Sequence, residues 1–240
     1  MTDLATAHAD AWAVLAGRPG GAVARLPGVR LASSGTGFGQ YNGADLVDPL
    51  LADPAAVAAW FAGRGEPWAW RVPERFGWAG QLLVEQPLMG LPAAGFRPAP
   101  WPDGFAVRPA APADLEACVA VDVAAFGGPA HVARTWLGGH LEVPGVEVAL
   151  VTGAAGPVAL AYAVRSDADA GPAVMLAGVG VVPSARRRGV AAGVSSWLLA
   201  RAFAAGSAFA HLQPDDDRAA RVYARLGFAT GPGVRIQRPD

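Results

Sequence analysis

The chain has 240 residues and a net charge of −1, with 52% hydrophobic and only 16% charged residues. All 19 basic residues are arginine and 20 acidic residues balance them, so the broad basic field that bulk nucleic-acid binding needs is missing. The apolar content argues against a disordered chain, and the single cysteine, Cys118, allows neither an internal disulfide nor a multi-cysteine zinc cluster. No uninterrupted apolar run approaches the roughly 18 residues of a membrane span. The start, with Asp3 and Asp10 and no early arginine, does not read as a secretory signal. The expectation is a soluble cytoplasmic protein with no metal, nucleic-acid or membrane partner, present as a monomer or homodimer.

In chain order, Thr2 can cap a first helix that carries Leu4, Ala7, Ala11, Val14 and Leu15 on one face. A glycine-rich turn at 17–21 ends it. Strands are predicted at 29–33 and 38–47. Asp53-Pro54 is the cap and first position of a second helix, with Val57, Trp60 and Phe61 as its apolar stripe. Residues 68–72 alternate as a strand does, and a last helical segment leads to Leu91-Pro92-Ala93-Ala94-Gly95-Phe96. The proline-rich stretch 97–104 reads as a linker. It divides a unit at 1–101 from one at 105–240.

The second unit begins with a strand at 105–108 and helices from Pro112 and from 130 to 141. Strands follow at 146–151, 158–164 and 174–182. Then come a helix at 188–205, a strand at 208–212, a helix at 217–226 and an end strand near 234–237. This order makes an α/β sheet of mixed strand directions.

The strand that ends at Val182-Pro183 runs into Arg186-Arg187-Arg188-Gly189-Val190-Ala191-Ala192, where an amphipathic helix begins. Free N–H groups at a helix start, together with the helix dipole, attract anions. Gly189 lets a phosphate approach the backbone, and the arginines can donate charge-assisted hydrogen bonds. An ordinary surface turn with a basic cap is the plainer reading of any one of these features. No Gly-Lys-Ser/Thr is present, so this is not a P-loop. Nor does an early strand carry a Gly-x-Gly-x-x-Gly dinucleotide fingerprint.

Residues 186–191 resemble the Arg/Gln-x-x-Gly-x-Gly/Ala signature of the GCN5-related N-acetyltransferases (GNAT). Residues 216–228 are similar to that family's Asn-x-x-Ala-x-x-x-Tyr-x-x-x-Gly-Phe helix, and 107–115 to its first strand and helix. The resemblance covers about 105–237. It implies a mixed, mostly antiparallel sheet flanked by helices, and acetyl-CoA as acyl donor. It places the pantetheine arm at Val179, Gly180 and Val181, and the pyrophosphate at Arg186, Arg187, Arg188, Gly189, Val190, Ala191 and Ala192. Asp216 stands where the family has a cofactor-binding asparagine; it can accept from a pantetheine amide but adds a negative charge near an anionic ligand.

The implied reaction is direct attack of an amine on the thioester, with a strand N–H near Val181 stabilising the oxyanion. The amine is expected on a small molecule rather than a protein. Tyr223 occupies the family's general-acid position; a tyrosine anchoring the last helix is the plainer account. The strand at 174–182 has no carboxylate to act as base. His211 is the candidate, against the simpler reading of a strand histidine bonded to a neighbour. Glu147, His131 and His140 are expected at the surface. A non-catalytic CoA-binding or interaction module on the same fold is the competing reading, and a nucleotide-binding α/β protein the third.

The first unit has no such arginine loop. Its Gly95-Phe96 echoes Gly227-Phe228, each after a helical run, which suggests a worn tandem copy of the same fold. Trp60, Trp68, Trp70 and Trp78 read as core filling in a charge-poor domain, with an acceptor pocket as the alternative.

Overall fold

The computed structural model describes residues 3–239. Helix α1 (Leu4–Leu15) is followed by β1 (Ala22–Leu26), β2 (Val29–Ser33), β3 (Gly43–Leu46), α2 (Pro54–Ala62), β4 (Ala69–Pro73) and β5 (Gln81–Pro92). After the linker come β6 (Ala106–Pro109), α3 (Leu115–Phe126), α4 (Ala130–His140), β7 (Val146–Gly153), β8 (Gly156–Ala168) and β9 (Gly171–Val181). The chain ends with α5 (Val190–Ala204), β10 (Phe209–Leu212), α6 (Asp217–Arg225) and β11 (Ala229–Arg238). No described helix is long and apolar enough to cross a membrane.

The strands form one sheet in the order β1-β2-β3-β4-β11-β5-β10-β9-β8-β7-β6. Only β3–β4 and β9–β10 are parallel. Each half contributes the same unit: an antiparallel meander of three strands, a crossover helix and a fourth strand parallel to the third. The halves also exchange partners. β11 from the second half lies between β4 and β5 of the first, and β5 lies between β11 and β10.

Helix α5 packs on one face of the second half, burying Val194, Leu198 and Leu199 against Val174 and Leu176 of β9. Each fully buried leucine contributes about 2 kcal/mol of transfer free energy. Helices α1, α3 and α4 cover the other face, with Ala11, Val119, Trp136 and Leu137 on Leu160, Tyr162 and Met175. Helix α1 is buried nearly all round. Its Asp10 accepts from Arg30 at 2.6 Å and from the Ala170 amide at 2.8 Å, tying both halves together. A buried Arg71–Asp45 pair at 3.0 Å lies beside it, with the guanidinium 4.2 Å from the Trp12 ring centroid.

Two expected elements need correction. The helical segment leading to Leu91 is the twelve-residue strand β5. Pro87 and Gly90 oppose a helix, and β10 and β11 flank this segment and hold it extended. Gly90 is needed there, because a Cβ would lie 2.6 Å from the Phe209 ring. The strand placed at 38–47 is a short 3₁₀ turn, Gly39–Tyr41, followed by β3. The Asn42 side chain accepts from the Ser34 amide and donates to the Pro67 carbonyl, which stops the strand early. Strand β1, an exposed edge, was not anticipated. The capping role given to Thr2 lies outside the described residues, and Asp3 is the N-cap residue of α1.

The first-half tryptophans fill a core. Phe61 stacks on Trp68 at 4.7 Å, and Trp70 meets Trp78 edge-on at 5.0 Å, around buried Leu31, Leu46 and Val57. The two Gly-Phe echoes touch. The Arg97 amide donates to the Leu226 carbonyl at 2.9 Å, and a Cβ on Gly227 would lie 2.2 Å from the Gly95 oxygen.

Candidate active site

Strand β9 changes character near its end. Leu160 pairs with Gly180 and Tyr162 with Ala177, so Gly178 and Val179 bulge opposite Ala161 alone. Gly178 has φ +58°, and a Cβ there would lie 2.2 Å from the Tyr162 ring. Both facts require glycine. On the other edge, the parallel ladder with β10 stops at Met175–His211. The two strands part beyond that pair, which frees backbone groups of β9 toward a gap. Val179 and Val181 are half-buried and Gly180 is buried.

Past β9, the turn Pro183–Ala185 leads to the arginines. Arg186 is exposed but tied down. Its guanidinium donates to the Val181 carbonyl at 3.0 Å and to the Ala125 carbonyl at 2.9 Å, pinning the loop to the end of α3. Arg187 has φ +60°, the only positive value at a described non-glycine residue. Arg188 is exposed, with its guanidinium 4.4 Å from the Phe105 ring centroid. Gly189, φ +82°, caps α5 with no side-chain hydrogen bond.

The first intrahelical donor is the Gly193 amide, to the Gly189 carbonyl at 2.9 Å. The N–H groups of Val190, Ala191 and Ala192 therefore have no partner within the helix. A Cβ on Gly189 would meet nothing closer than Pro102 at 3.8 Å, so the space beside the Gly189 Cα is open. Gly193, by contrast, is small for packing: a Cβ would lie 2.9 Å from Pro102.

The other expected residues fall elsewhere around β10. Asp216 caps α6, accepting from the Ala219 amide at 2.7 Å. That capping bond gives the carboxylate a structural reason to be there. Tyr223 packs against the α5-side core. Its pKa is pushed up to about 12, first by burial and then by Asp215. His211 is fully buried on β10, 6.1 Å from the His8 ring of α1. Burial pulls its pKa down to about 4, so it is neutral at physiological pH and a weak base.

Glu147 is held by Arg201 at 2.6 Å, and His131 is exposed near Phe38. His140, expected at the surface, is instead a core residue at 2% exposure. Its Nδ1 lies 2.7 Å from the Trp136 carbonyl oxygen and its ring sits between Trp136 and Tyr162. Burial pulls its pKa down to about 3. Among the described residues, no three His, Cys, Asp or Glu side chains converge as a metal site would require.

Residues 135–228, which hold β9, the arginine turn and α6, match the family model described as the acetyltransferase (GNAT) family. This segment is a GNAT domain. Solved structures agree on the fold of the whole chain. A GCN5-related N-acetyltransferase from Kribbella flavida superposes with a TM-score of 0.73 at 22% identity, over 100% of this chain and 97% of that one. A tandem GNAT protein from the clavulanic acid biosynthesis pathway gives 0.58 at 12% identity, over 99% and 95%. A GCN5-related N-acetyltransferase from Sphaerobacter thermophilus gives 0.53 at 16% identity, over 82% and 72%. Among curated proteins, none matches the sequence.

Beside this segment lies a feature that the sequence alone does not show. On the α3–α4 face of the Gly178 bulge lies a cleft of about 340 Å³. Asp122 and Phe126 of α3, Trp136 of α4 and Tyr162 of β8 line it, and Tyr41 closes it from the first half. The only local sequence signal was Gly127-Gly128, both at positive φ, which turns the chain sharply between the two helices.

Proposed function

We propose that the chain is an acetyl-CoA-dependent N-acetyltransferase that acetylates a primary amine on a small molecule. On this reading residues 105–240 form the catalytic unit, and residues 1–101 are a helper copy that lends it β5 and Tyr41. The carrying observation is the turn of unpartnered amides at Val190, Ala191 and Ala192, flanked by Arg187 and Arg188 and set beside the open edge of β9.

Several features fit acetyl-CoA. The open space over Gly189 admits a pyrophosphate to the helix-start amides, whose N–H groups and dipole favour negative charge. The exposed Arg187 and Arg188 add charge-assisted donors, while Arg186 holds the loop in place. The edge of β9 beyond the β10 ladder, at Val179–Val181, offers backbone groups to the amides of a pantetheine arm beside the Val181 carbonyl that Arg186 already holds. Acetyl-CoA supplies an acetyl group activated as a thioester. The chain's own contribution is to hold the reacting groups in place and to aim a β9 backbone N–H at the oxygen where negative charge develops. Tyr223 keeps its proton across the physiological range and can lend it to a departing thiolate. With its pKa near 12 that transfer runs uphill against a thiol of about 8.5 unless the occupied site lowers it.

The test is release of free coenzyme A thiol from acetyl-CoA across a panel of primary amines. Thiol release that depends on the amine supports the reading. Tight coenzyme A binding with no amine-dependent release on any member would contradict it and favour a non-catalytic module.

A further inference from the structure

The cleft beside Gly178 has a distinct chemistry. Asp122 and Phe126 stand four residues apart on one face of α3. Phe126 lies against β9 itself, since a Cβ on Gly180 would be 2.8 Å from its ring. Opposite them Tyr41 stacks flat on Trp136, with centroids 3.7 Å apart and planes 8° from parallel. Tyr162 forms the floor, its hydroxyl accepting from the Trp136 indole at 3.4 Å. Four aromatic rings line it beside small apolar residues and Gln40, and the single carboxylate is Asp122.

Asp122 is unusual within this chain. The other partly or fully buried carboxylates among the described residues are held. Asp10, Asp45, Asp114 and Glu147 pair with arginines, Asp3 with Arg75 and Thr6, Glu66 with Ser33, and Asp48 with the Leu50 amide. Asp122 is half-buried and forms no hydrogen bond or ion pair with any described residue. Burial alone pushes its pKa upward. The titratable groups facing it are the Tyr41 and Tyr162 phenols, and among the described residues no cation pairs with it. A half-buried, unpaired carboxylate carries a desolvation cost that an incoming cation removes.

We propose that this cleft binds a primary amine carried on a flat aryl or apolar body, its ammonium paired with Asp122 and its body against Tyr41, Trp136 and Phe126. One carboxylate suits one positive charge, which favours a monoamine over a polyamine. The aromatic faces add attraction for the cation and area for the body. The site lies where an acceptor would meet the β9 bulge, so the inference rests on the acetyltransferase reading for its chemical purpose. In that chemistry the ammonium N–H bond breaks and its electron pair stays on nitrogen. Asp122 takes the proton and passes it to water at the exposed Gly127-Gly128 mouth.

The binding step is tested without any acyl donor, by calorimetric titration with 2-phenylethylamine and with its neutral isostere 2-phenylethanol. The amine is expected to bind at least about 10-fold more tightly, a difference that Asp122→Asn abolishes and Asp122→Glu partly restores. Equal binding of the two ligands by the wild type, or a preference that survives in Asp122→Asn, overturns the proposal. So does failure of the amine to bind, and the wild-type comparison decides even if a variant misfolds. In a second arm, Asp122→Asn lowers kcat/KM for amine acetylation by about 100-fold with acetyl-CoA affinity within about twofold of wild type. Undiminished turnover in that variant contradicts the proton-acceptor role. Failure of the wild type to bind acetyl-CoA would instead sink the acetyltransferase reading, while the amine titration still decides the cleft.

Discussion

The two halves place a crossover helix after the third strand of the same meander, yet they finish its N-terminus in opposite ways. In the first half β3 leads through residues 47–53 into α2. Asp53 caps that helix with its own carboxylate, accepting from the Ala55 amide at 2.9 Å. Pro54 removes another donor, and the loop carries a second acid, Asp48, and no arginine. In the second half β9 leads through three arginines to Gly189, and no side chain covers the amides of α5. Shared backbone topology therefore does not make an anion site. What decides is whether the chain's own carboxylate already occupies the helix start and whether arginines flank it. A negative cap satisfies the first helix internally and repels phosphate, whereas a glycine cap leaves the second helix's donors for a ligand.

The largest expected effect tests how the two halves are joined rather than how they differ. His211 of β10 is buried against His8 of α1, with a pKa pulled down to about 4. The unfolded chain takes up that proton near pH 6.5 and the folded chain does not. Stability from this group is therefore full above pH 6.5 and is lost as pH falls toward 4. The loss is roughly 3 kcal/mol by pH 4. Urea unfolding at pH 7 and pH 4 should show it, with a shallower fall in His211→Leu. Identical pH dependence in that variant would mean the seam is not built as described.

The next effect exchanges the caps. Gly189→Asp should weaken acetyl-CoA binding by about 100-fold, from the lost approach and the added negative charge at the helix start. Asp53→Gly should create no coenzyme A site in the first half, because no arginines stand there. A second molecule of ligand bound by Asp53→Gly would break the comparison. Smaller again is the double change Arg187→Ala and Arg188→Ala. It should cost about 10-fold in acetyl-CoA affinity at low salt and less at high salt, since exposed charges are screened. An effect that does not vary with salt would remove these side chains from the phosphate role. The smallest effect is Asp53→Ala. Loss of one cap should lower stability by about 1 kcal/mol, or a few degrees in Tm, and leave coenzyme A affinity untouched.

Much of the second half was legible because its signals are local. A strand ending at Pro183, a glycine at a helix start and an Asp-capped last helix each specify their own geometry, and the order of elements from β6 to β11 follows from them. The GNAT resemblance rested on those same segments. What was hidden depends on contacts distant in sequence. Residues 81–92 form a strand because β10 and β11 flank them, and nothing within the segment announces those neighbours. Arg186 reads as a phosphate ligand in sequence, yet two backbone carbonyls hold it, one of them 61 residues away. His140 reads as a surface residue, yet Trp136 and Tyr162 enclose it. Asp122 gave no signal at all. It sits on a helix of weak polarity, and only the fold brings Tyr41 of the first half and Gly178 of β9 to its cleft.

On the proposed function, the second half's uncapped helix start is a coenzyme A site and the first half's capped one is not. The most direct measurement is a calorimetric titration of the intact protein with acetyl-CoA. One site per chain with micromolar affinity is the expected result. Two sites per chain, or no heat of binding at all, would contradict it.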